Sequence, residues 1–466
     1  MSEVKFKFEI EREKTLEEQT ALKIIETLKK ANFEAFWAGG AVRDLVLKKE
    51  LHDIDIATSA KPDQVKKIFP NSYDKGRSFG VVAVREGELE FEVTTFRQDV
   101  GISDHRHPAK IAFATAEGDA KRRDFTINGL FYDPMSGEII DYVDGLTDLK
   151  RATIKFIGRP QDRIKEDYLR LIRAVRFATR LDFKIEPESK KAIKENAEKI
   201  AEVSSERIRD ELSKMLLNER RSEALKMLSE LNLLKTILPE VEGLKNVAQP
   251  PEFHHEGDCF LHTLLALENI GETQSEELVW CVLLHDIAKP ETKGFRSQIG
   301  KTSITFFDHD IKSAEKAEEI LTRFKFSKSF IEAVFWAISQ HMRIINAFRG
   351  MGERKQKKLF CDDNIELLLN LTRADLSASL RPNNLPDMEM YEDALTLRAK
   401  FEKEMSAEER HQMNKFDLIT GTEIMQILKL PAGPKIGVIK DEIEKAYLDG
   451  KINSKDEALE IVESYK

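Results

Sequence analysis

The sequence has few cysteines and no long apolar run, and both absences narrow the class of protein. Only 3 of its 466 residues are cysteines, and Cys259, Cys281 and Cys361 form no evident disulfide framework or paired metal motif. The longest apolar run, residues 278–284, is much shorter than the roughly 20 residues of a membrane-spanning helix. The polar N-terminal stretch has no apolar core of signal-peptide length. We therefore expect a cytoplasmic protein without a membrane segment.

The chain also has no overall excess of positive charge. The net charge is −9, which argues against a basic coat over the whole surface, and 41% hydrophobic with 34% charged residues is typical of a globular protein. One segment departs from this average, because residues 150–180 contain ten Lys and Arg against three acidic residues. Such a basic segment suits a phosphate chain, although a solvated helix face explains it equally well.

A chain of this length exceeds a single hydrophobic core and should form several domains. Thr15 and Glu18 match a capping box for a helix that ends near Asn32, and short β-type runs follow to about residue 145. From about residue 150 helical periodicity replaces the strand signals, with interruptions at residues 250–251 and 381–386. These patterns predict four parts: an α/β head (1–149), a helical neck (150–249), a histidine-containing helical domain (250–385) and a helical tail (386–466).

Two acidic residues, Asp53 and Asp55, lie two positions apart in a β-type run. Side chains alternate along a strand, so both carboxylates should share one face while Ile54 and Ile56 anchor the other. Carboxylates on a rigid strand suit Mg²⁺, and a pair of such ions can clamp the attacking hydroxyl and the leaving phosphate oxygens. An Asp-x-Asp pair alone is a weak indication, because solvated edge strands often contain one.

A glycine turn precedes this acidic pair by about ten residues. Gly39 and Gly40 let backbone N–H groups approach a triphosphate, and the N-terminus of the following helix favours an anion. Arg43 in that helix offers a fork of donors to phosphate. The turn and the pair Asp53 and Asp55, at this spacing, together predict a nucleotide site that includes Gly40, Arg43 and carboxylate-bound Mg²⁺.

With these motifs the sequence resembles the DNA polymerase β nucleotidyltransferases, specifically the class II family of tRNA nucleotidyltransferases (CCA-adding enzymes) and poly(A) polymerases. The likeness is dense over 33–181 and looser to the C-terminus. The motifs that carry it are GGAVRD (39–44), DIDIAT (53–58), FEVTTFR (91–97), RQDVGISDHRHP (97–108), RRDFTINGL (122–130), DYVDGLTDLK (141–150) and EDYLRLIRAVRFATRL (166–181). The resemblance implies an α/β head of the polymerase β type, an all-α neck, a helical body and a tail that binds tRNA. It also implies that Arg123 contacts the nucleotide and that Asn128 helps to hold the site, and Glu92 is a candidate third acidic residue.

The run 166–181 contains no helix breaker and is predicted to form one helix. Asp167 and Arg170 would then share a face, with Arg173 alongside and Arg176 further round. A carboxylate accepts hydrogen bonds and a guanidinium donates them, so the pair complements the pairing edge of C and A but not that of G or U. The resemblance assigns base selection to Asp167 and Arg170. Without the other motifs, a surface ion pair would be the more frequent explanation.

The helical half carries a second set of metal-type ligands. The stretch LLHDIAKP (283–290) resembles the signature of HD-domain metal phosphohydrolases. The ligands follow in the order H…HD…D, as His262, His285, Asp286 and Asp375. Imidazoles and carboxylates suit a divalent transition metal, and two further residues could complete a second metal position or bind phosphate: His309 and His341. A lone HD dipeptide is more often a capped helix end, but four ligands in order favour metal binding.

The leading hypothesis for function is template-independent addition of CCA to the 3′ end of tRNA, from CTP and ATP, by two-metal nucleotidyl transfer. CC-only members of the family have a shortened loop where residues 97–108 look full-length, which favours terminal A addition. The alternative is an A-adding tRNA nucleotidyltransferase or a poly(A) polymerase. A further alternative is an HD-type metal phosphohydrolase whose head only binds RNA, and the intact Asp53 and Asp55 argue against it. No obligate protein partner is evident.

Overall fold

The protein is described by a computed structural model that divides the chain into two compact units. One unit comprises Met1–Gly243, Glu272–Gln274 and Arg323–Lys325, and the other comprises the remainder. Among the described residues no helix is both long and apolar enough to cross a membrane. The predicted four-part division of the chain stays a prediction. The residues described are 4–8, 10, 12–51, 53–76, 80–102, 108–298, 301–347, 350–406, 418–431, 433–448, 451–452 and 454–465.

The first unit contains an eight-stranded mixed sheet. The strands of this unit are β1 (Val4–Lys7), β2 (Ala35–Ala38), β3 (Asp55–Thr58), β4 (Ser72–Gly76), β5 (Val81–Glu86), β6 (Leu89–Thr95), β7 (Arg97–Ile102), β8 (Pro108–Phe113), β9 (Leu130–Asp133), β10 (Glu138–Asp141), β11 (Thr153–Ile154) and β12 (Lys184–Ile185). The order in the sheet is β1-β10-β9-β2-β3-β6-β5-β4, and only β3 and β6 pair in parallel. The remaining strands form two separate pairs, β7 with β8 and β11 with β12.

The helices of the first unit flank this sheet and then continue as a helical neck. They are α1 (Leu16–Lys30), α2 (Gly40–Val46), α3 (Pro62–Ile68), α4 (Ala116–Arg122), α5 (Gly145–Lys150), α6 (Pro160–Glu166), α7 (Arg170–Leu181), α8 (Pro187–Glu195), α9 (Ser205–Leu216), α10 (Arg221–Glu230), α11 (Leu233–Ile237) and α12 (Pro239–Glu242). Short 3₁₀ helices occupy Thr126–Asn128 and Ala197–Glu202. The predicted capping box of α1 is confirmed: the Thr15 side chain accepts from the Glu18 N–H, and the Glu18 carboxylate accepts from the Thr15 N–H.

Alternating burial fixes the strand that carries the acidic pair. Ile54 and Ile56 are buried, whereas Asp53 and Asp55 are exposed, as the period of two predicts. The strand itself is shorter than predicted, because regular pairing begins only at Asp55. Its neighbour β2 is buried along its whole length, and Phe36 of β2 packs against other aromatic rings of the core. Asp55 therefore projects from the start of a central strand, and Asp53 lies in the segment just before it.

Three local predictions from the sequence are wrong. The run 166–181 is two helices, because α6 ends at Glu166, Asp167 adopts an extended backbone and α7 begins at Arg170. Of the β-type runs predicted before residue 145, the run at 125–132 forms a strand only from Leu130, and Thr126–Asn128 is a 3₁₀ turn. The predicted loop 97–108 is largely the hairpin of β7 and β8 in its described part, and residues 103–107 lie outside the described residues. At the break before α7 a distant contact overrides the local pattern, because the Asp167 carboxylate accepts from Arg207.

In the part that the structure describes, the second unit is helical apart from one hairpin, β13 (Lys293–Gln298) with β14 (Lys301–Phe306), which the sequence patterns did not predict. Near its C-terminal end, buried side chains such as Ile424, Ile439 and Val462 form a separate small core. Its helices are α13 (Cys259–Asn269), α14 (Glu276–Leu284), α15 (Lys289–Thr292), α16 (His309–Arg323), α17 (Lys328–Ala347), α18 (Glu353–Phe360), α19 (Ile365–Ala378), α20 (Glu389–Glu404), α21 (Gly421–Leu428), α22 (Pro434–Leu448) and α23 (Lys455–Glu463).

Candidate functional site

In the first unit the glycine turn, Gly39 and Gly40, lies beside the acidic strand, by which we mean β3 together with the preceding Asp53. Asp55 opens β3 directly opposite Ala38, the last residue of β2. The chain then turns through Gly39, whose φ of 67° is left-handed and favours glycine, and α2 begins at Gly40. A Cβ atom on Gly39 would lie 2.5 Å from a guanidinium nitrogen of Arg123. The N-terminus of α2 and the acidic strand are therefore held side by side.

The carboxylates of Asp53 and Asp55 face the same cleft. Desolvation raises the pKa of Asp55; Arg123 opposes this rise, and the negative charges of Glu92 and Asp53 add to it. Glu92 lies on β6, which is the parallel neighbour of β3, and its carboxylate is 3.0 Å from Nζ of Lys75. Crowded carboxylate oxygens of this kind are the ligands that a hard divalent cation requires.

The cleft has a volume of about 1070 Å³ and contains every residue predicted for the nucleotide site. These residues are Gly40, Arg43, Asp53, Asp55, Arg123, Asp167, Arg170, Arg173 and Arg176. The lining also includes cations that were not predicted as site residues: Arg97, Arg122, Arg180 and Lys214. Arg180 belongs to the basic segment 150–180, which indicated it in the sequence, whereas no motif distinguished Lys214. The structure brings the predicted residues together, and their individual roles stay predictions.

Arg43 is buried at the cleft wall and already holds several partners. Its Nη1 donates to Oδ1 of Asn128 at 2.8 Å, and its Nε and Nη2 each donate to Asp44 at 2.8 Å. Its guanidinium also lies over the ring of Phe177, 5.3 Å from the centroid. A guanidinium committed in this way is rigidly oriented, so Arg43 can present charge to the cleft with few donors left to offer.

Asp119 on α4 holds two arginines at the cleft. Its carboxylate, 1% exposed, accepts from Nε of Arg122 at 2.8 Å and from Nη2 of Arg123 at 3.0 Å. Burial by itself would raise the pKa of Asp119, but the charges of Arg123 and Arg122 lower it below its usual value. Arg123 is therefore fixed by a charged partner that stays ionised, and sequence patterns gave no signal for Asp119.

Asp167 and Arg170 line one cleft but do not pair with each other through their side chains. Oδ2 of Asp167 accepts from Nη2 of Arg207 at 2.7 Å, and its Oδ1 accepts from the Leu169 N–H at 3.0 Å. Nη1 of Arg170 donates to Oε2 of Glu166 at 2.6 Å. The predicted neighbours on one helix face are instead a residue before the helix and the first residue of α7, each with its own partner.

Ion pairs connect α7 with two other parts of the first unit: Asp124, which follows α4, and Glu211 of α9. Oδ2 of Asp124 accepts from Nη2 of Arg173 at 2.6 Å, and Oδ1 of Asp124 accepts from the Asn128 amide at 3.0 Å. Glu211 accepts from Nε of Arg176 at 2.6 Å and lies 3.4 Å from Nη1 of Arg173. Burial alone would raise the pKa of Asp124, but the charge of Arg173 and these hydrogen bonds bring it well below its usual range.

The second unit gathers the predicted H…HD…D residues. One group of ligand atoms within 4.8 Å of one another comes from His262, His285 and Asp375, and a second comes from Asp286, His309 and His341. Asp286 adjoins both groups, since its Oδ2 lies 3.3 Å from Nε2 of His285 and its Oδ1 lies 3.5 Å from Nε2 of His309. Three imidazoles point one nitrogen at a backbone carbonyl, which leaves the other free to face the cluster: His285, His309 and His341.

The surroundings of this cluster suit metal ligands. Desolvation, with the nearby His309 and His285, lowers the pKa of His341 to about 4. Burial alone would also lower the pKa of His285, but Asp286 and Asp375 raise it to about 10, so a metal ion would have to displace a proton from His285. Nζ of Lys289 lies 2.6 Å from Oδ2 of Asp286 and donates to Oε1 of Gln249 at 2.8 Å. The structure brings His262, His285, Asp286 and Asp375 together, and their role as ligands stays a prediction; no sequence pattern indicated Gln249.

Comparisons with known proteins identify the family. Three family models match: "Poly A polymerase head domain" over 35–155, "Probable RNA and SrmB- binding site of polymerase A" over 182–244 and "HD domain" over 258–400. The CCA-adding enzyme of Lactobacillus delbrueckii subsp. bulgaricus is 47% identical over 207 residues, which cover 44% of this chain and about half, 52%, of that protein. The CCA-adding enzyme of Streptococcus sanguinis is 32% identical over 434 residues, 93% of each chain. The crystal structure of the Bacillus stearothermophilus CCA-adding enzyme in complex with CTP superposes with a TM-score of 0.65 at 25% identity, covering 97% of this chain and 98% of that one.

The fold and the cleft define a nucleotidyltransferase with a head of the poly(A) polymerase type and an HD domain. Members of this class are metal-dependent, and the described residues include groups able to hold a metal ion. The chain belongs to the family of CCA-adding enzymes. The predictions of a polymerase-type α/β head with a helical remainder, of an HD domain and of membership in this family are confirmed.

Proposed function

We propose that this chain adds C, C and A to the 3′ end of tRNA, with CTP and ATP as substrates. The single observation that carries the proposal is the cleft in which the acidic strand of Asp53 and Asp55 lies beside the glycine turn and helix α2. A triphosphate at this helix N-terminus would place its phosphates next to the carboxylates. We also infer a cytoplasmic location, and we infer that the 1–149 head and the 150–249 neck act together, because residues of both line the cleft.

Asp53 and Asp55 are the residues that would hold Mg²⁺, since both line the same cleft, Asp55 at the start of β3 and Asp53 just before it. When bound, this cation supplies charge neutralisation for the triphosphate and activation of the attacking hydroxyl. Gly40 contributes a backbone N–H at the helix N-terminus, where Arg43 adds fixed positive charge. Arg123, held by Asp119, would contact the nucleotide in the same cleft. Each of these roles is inferred from the position of the residue in the cleft and from its charge or hydrogen-bonding group.

Base selection is assigned to Asp167 and Arg170. Asp167 offers carboxylate oxygens whose orientation is set by Arg207, and Arg170 offers guanidinium donors whose orientation is set by Glu166. An acceptor beside a donor matches the exocyclic amine and ring nitrogen of C and A, whereas G and U would leave buried groups unpaired. Arg173 and Arg176 hold this wall against Asp124 and Glu211.

The test is incubation of the full chain with tRNA that lacks one, two or three terminal nucleotides, with CTP and ATP supplied separately and together. We expect CTP alone to add two residues to tRNA lacking all three, and ATP to complete it. Asp53→Asn and Asp55→Asn should each abolish both additions, whereas Asp63→Asn, an exposed carboxylate outside the cleft, should not. Incorporation of A alone, only onto tRNA ending in CC, would support the A-adding alternative, and repeated A addition would support a poly(A) polymerase.

We infer a second activity, hydrolysis of a phosphate ester in the HD domain, from the clustered ligands His262, His285, Asp286 and Asp375. Imidazoles with carboxylates suit a divalent transition metal, which would polarise a phosphoryl oxygen. His309 and His341 supply the second group of ligand atoms beside Asp286. With Co²⁺ or Ni²⁺, hydrolysis of a 2′,3′-cyclic nucleotide or a phosphomonoester should disappear in the His285→Ala–Asp286→Ala variant and persist in Asp53→Asn. Absence of hydrolysis with every divalent metal in the unaltered chain would refute it.

A further inference from the structure

Glu256 is a buried carboxylate beside the HD cluster that the H…HD…D pattern does not include. Its side chain is 4% exposed. Oε1 of Glu256 lies 2.8 Å from Nδ1 of His262 and 2.8 Å from Nδ1 of His254. Both rings therefore converge on one oxygen of this carboxylate. Nε2 of His262, the ring nitrogen on the opposite side, faces Oδ1 of Asp375 at 3.0 Å.

The other carboxylate oxygen of Glu256 contacts the segment that follows the Asp375 helix. Oε2 accepts from the Leu380 N–H at 2.9 Å, and the Leu380 carbonyl accepts from the His255 N–H at 2.8 Å. Helix α19, which carries Asp375, ends at Ala378, just before Leu380. Glu256 thus accepts hydrogen bonds from the ring of one predicted ligand, His262, and from the backbone just after the helix that carries another, Asp375.

The chemistry of imidazole gives this arrangement a consequence for metal binding. An imidazole whose Nδ1–H donates to a carboxylate keeps its lone pair on Nε2, and its ring plane is fixed by the hydrogen bond. A carboxylate partner also makes the ligand nitrogen more basic, and removing such a partner typically weakens metal binding about 10- to 100-fold. A buried carboxylate that merely stabilised the fold would have no effect on the ligand nitrogen.

We propose that Glu256 is a positioning residue for a divalent metal held by His262, His285 and Asp375, fixing His262 with Nε2 toward the ion. The proposal rests on the metal centre inferred above. It extends that centre to residues 254–256, which precede the matched HD domain at 258–400. His254 shares the same oxygen and completes the buried hydrogen bonding of Glu256 without facing Asp375.

The test is isothermal titration of the metal-free full chain with Co²⁺, in excess Mg²⁺ to occupy the head, together with the visible absorbance of the bound Co²⁺. Relative to the unaltered protein, Glu256→Ala should weaken Co²⁺ binding about 100-fold and Glu256→Gln, which keeps the shape and one acceptor, about 10-fold. Both should shift the Co²⁺ spectrum. Glu291→Gln, a more exposed glutamate paired with Lys316 in the same unit, is the matched control and should bind as the unaltered chain does.

The results distinguish an error in the role of Glu256 from an error in the metal centre. If the unaltered chain binds no Co²⁺, or if His262→Ala binds Co²⁺ as tightly as the unaltered chain does, there is no such metal centre and Glu256 cannot position its ligand. If the unaltered chain binds Co²⁺ and both Glu256 variants match its affinity and spectrum, Glu256 has no positioning role. A loss of melting temperature in metal-free Glu256→Gln with unchanged Co²⁺ affinity would identify it as a purely structural carboxylate.

Discussion

Arg207 is expected to govern the choice of nucleotide although it belongs to no predicted site. It lies on α9, and its Nη2 donates to Oδ2 of Asp167 at 2.7 Å. The two side chains are each 22% exposed, so the pair is partly shielded from water. Among the described residues, replacing Arg207 by alanine leaves the Asp167 carboxylate with one hydrogen-bond donor, the Leu169 N–H. The carboxylate can then rotate away from the position in which it would accept from C or A.

The size of the effect follows from the single contact that is lost. A hydrogen bond between charged groups contributes about 1.5–3 kcal/mol. At about 1.4 kcal/mol per factor of ten, Arg207→Ala should lower kcat/KM for CTP and ATP about 10- to 100-fold. Discrimination against UTP and GTP should fall by a similar factor, because all four nucleotides would meet a carboxylate without a fixed orientation. The Asp167 carboxylate itself remains, so activity is reduced and not abolished.

The assay is steady-state incorporation of each of the four nucleotides onto tRNA lacking its terminal residues. Arg209→Ala is the matched control, since Arg209 is on the same helix, pairs with Asp210 and does not line the cleft. Melting temperatures of both variants establish that they are folded. An Arg207→Ala enzyme that discriminates as well as the unaltered one would refute the reasoning, as would an equal loss in Arg209→Ala.

Three further outcomes are expected. Gly39→Ala should lower the melting temperature and reduce kcat/KM at least about tenfold, because an alanine at a φ of 67° costs about 1–2 kcal/mol and its Cβ would collide with Arg123. Gly40→Ala is the control and should fold normally, since its Cβ would lie 3.6 Å from Arg43. Asp124→Asn should cost about 3 kcal/mol in urea unfolding at pH 7, since it breaks a shielded ion pair with Arg173. Because the folded-state pKa of Asp124 lies below its unfolded value near 3.9, the difference should persist above about pH 4 and shrink as the pH falls further; a pH-independent difference would contradict this. Chelation by EDTA should lower the melting temperature of the second unit in the unaltered chain but not in His262→Ala–Asp375→Ala, and an equal shift in both would argue against a metal there.

Sequence patterns predicted much of the head because many of its structural features depend on residues that are close together in the chain. The capping box of α1 and the alternating burial around Asp55 depend on residues only a few positions apart. The break between α6 and α7 does not, since nothing in residues 166–181 disfavours a continuous helix. The Asp167 carboxylate is drawn to Arg207, forty positions later, and Arg170 to Glu166 and the backbone of Arg122. The missed hairpin of β13 and β14 is likewise stabilised by pairing, which a single run of residues cannot show.

The sequence by itself determined which side chains are candidates for the chemistry, because paired carboxylates, adjacent glycines and metal-type histidines occur in short motifs with fixed spacing. Only the tertiary structure decided what holds them. Asp119 beneath Arg123, Arg207 on Asp167 and Glu256 on His262 are isolated residues in their own segments, with no motif to distinguish them. A charged side chain acts on another over a few ångströms of space, and the chain brings such partners together only when it folds.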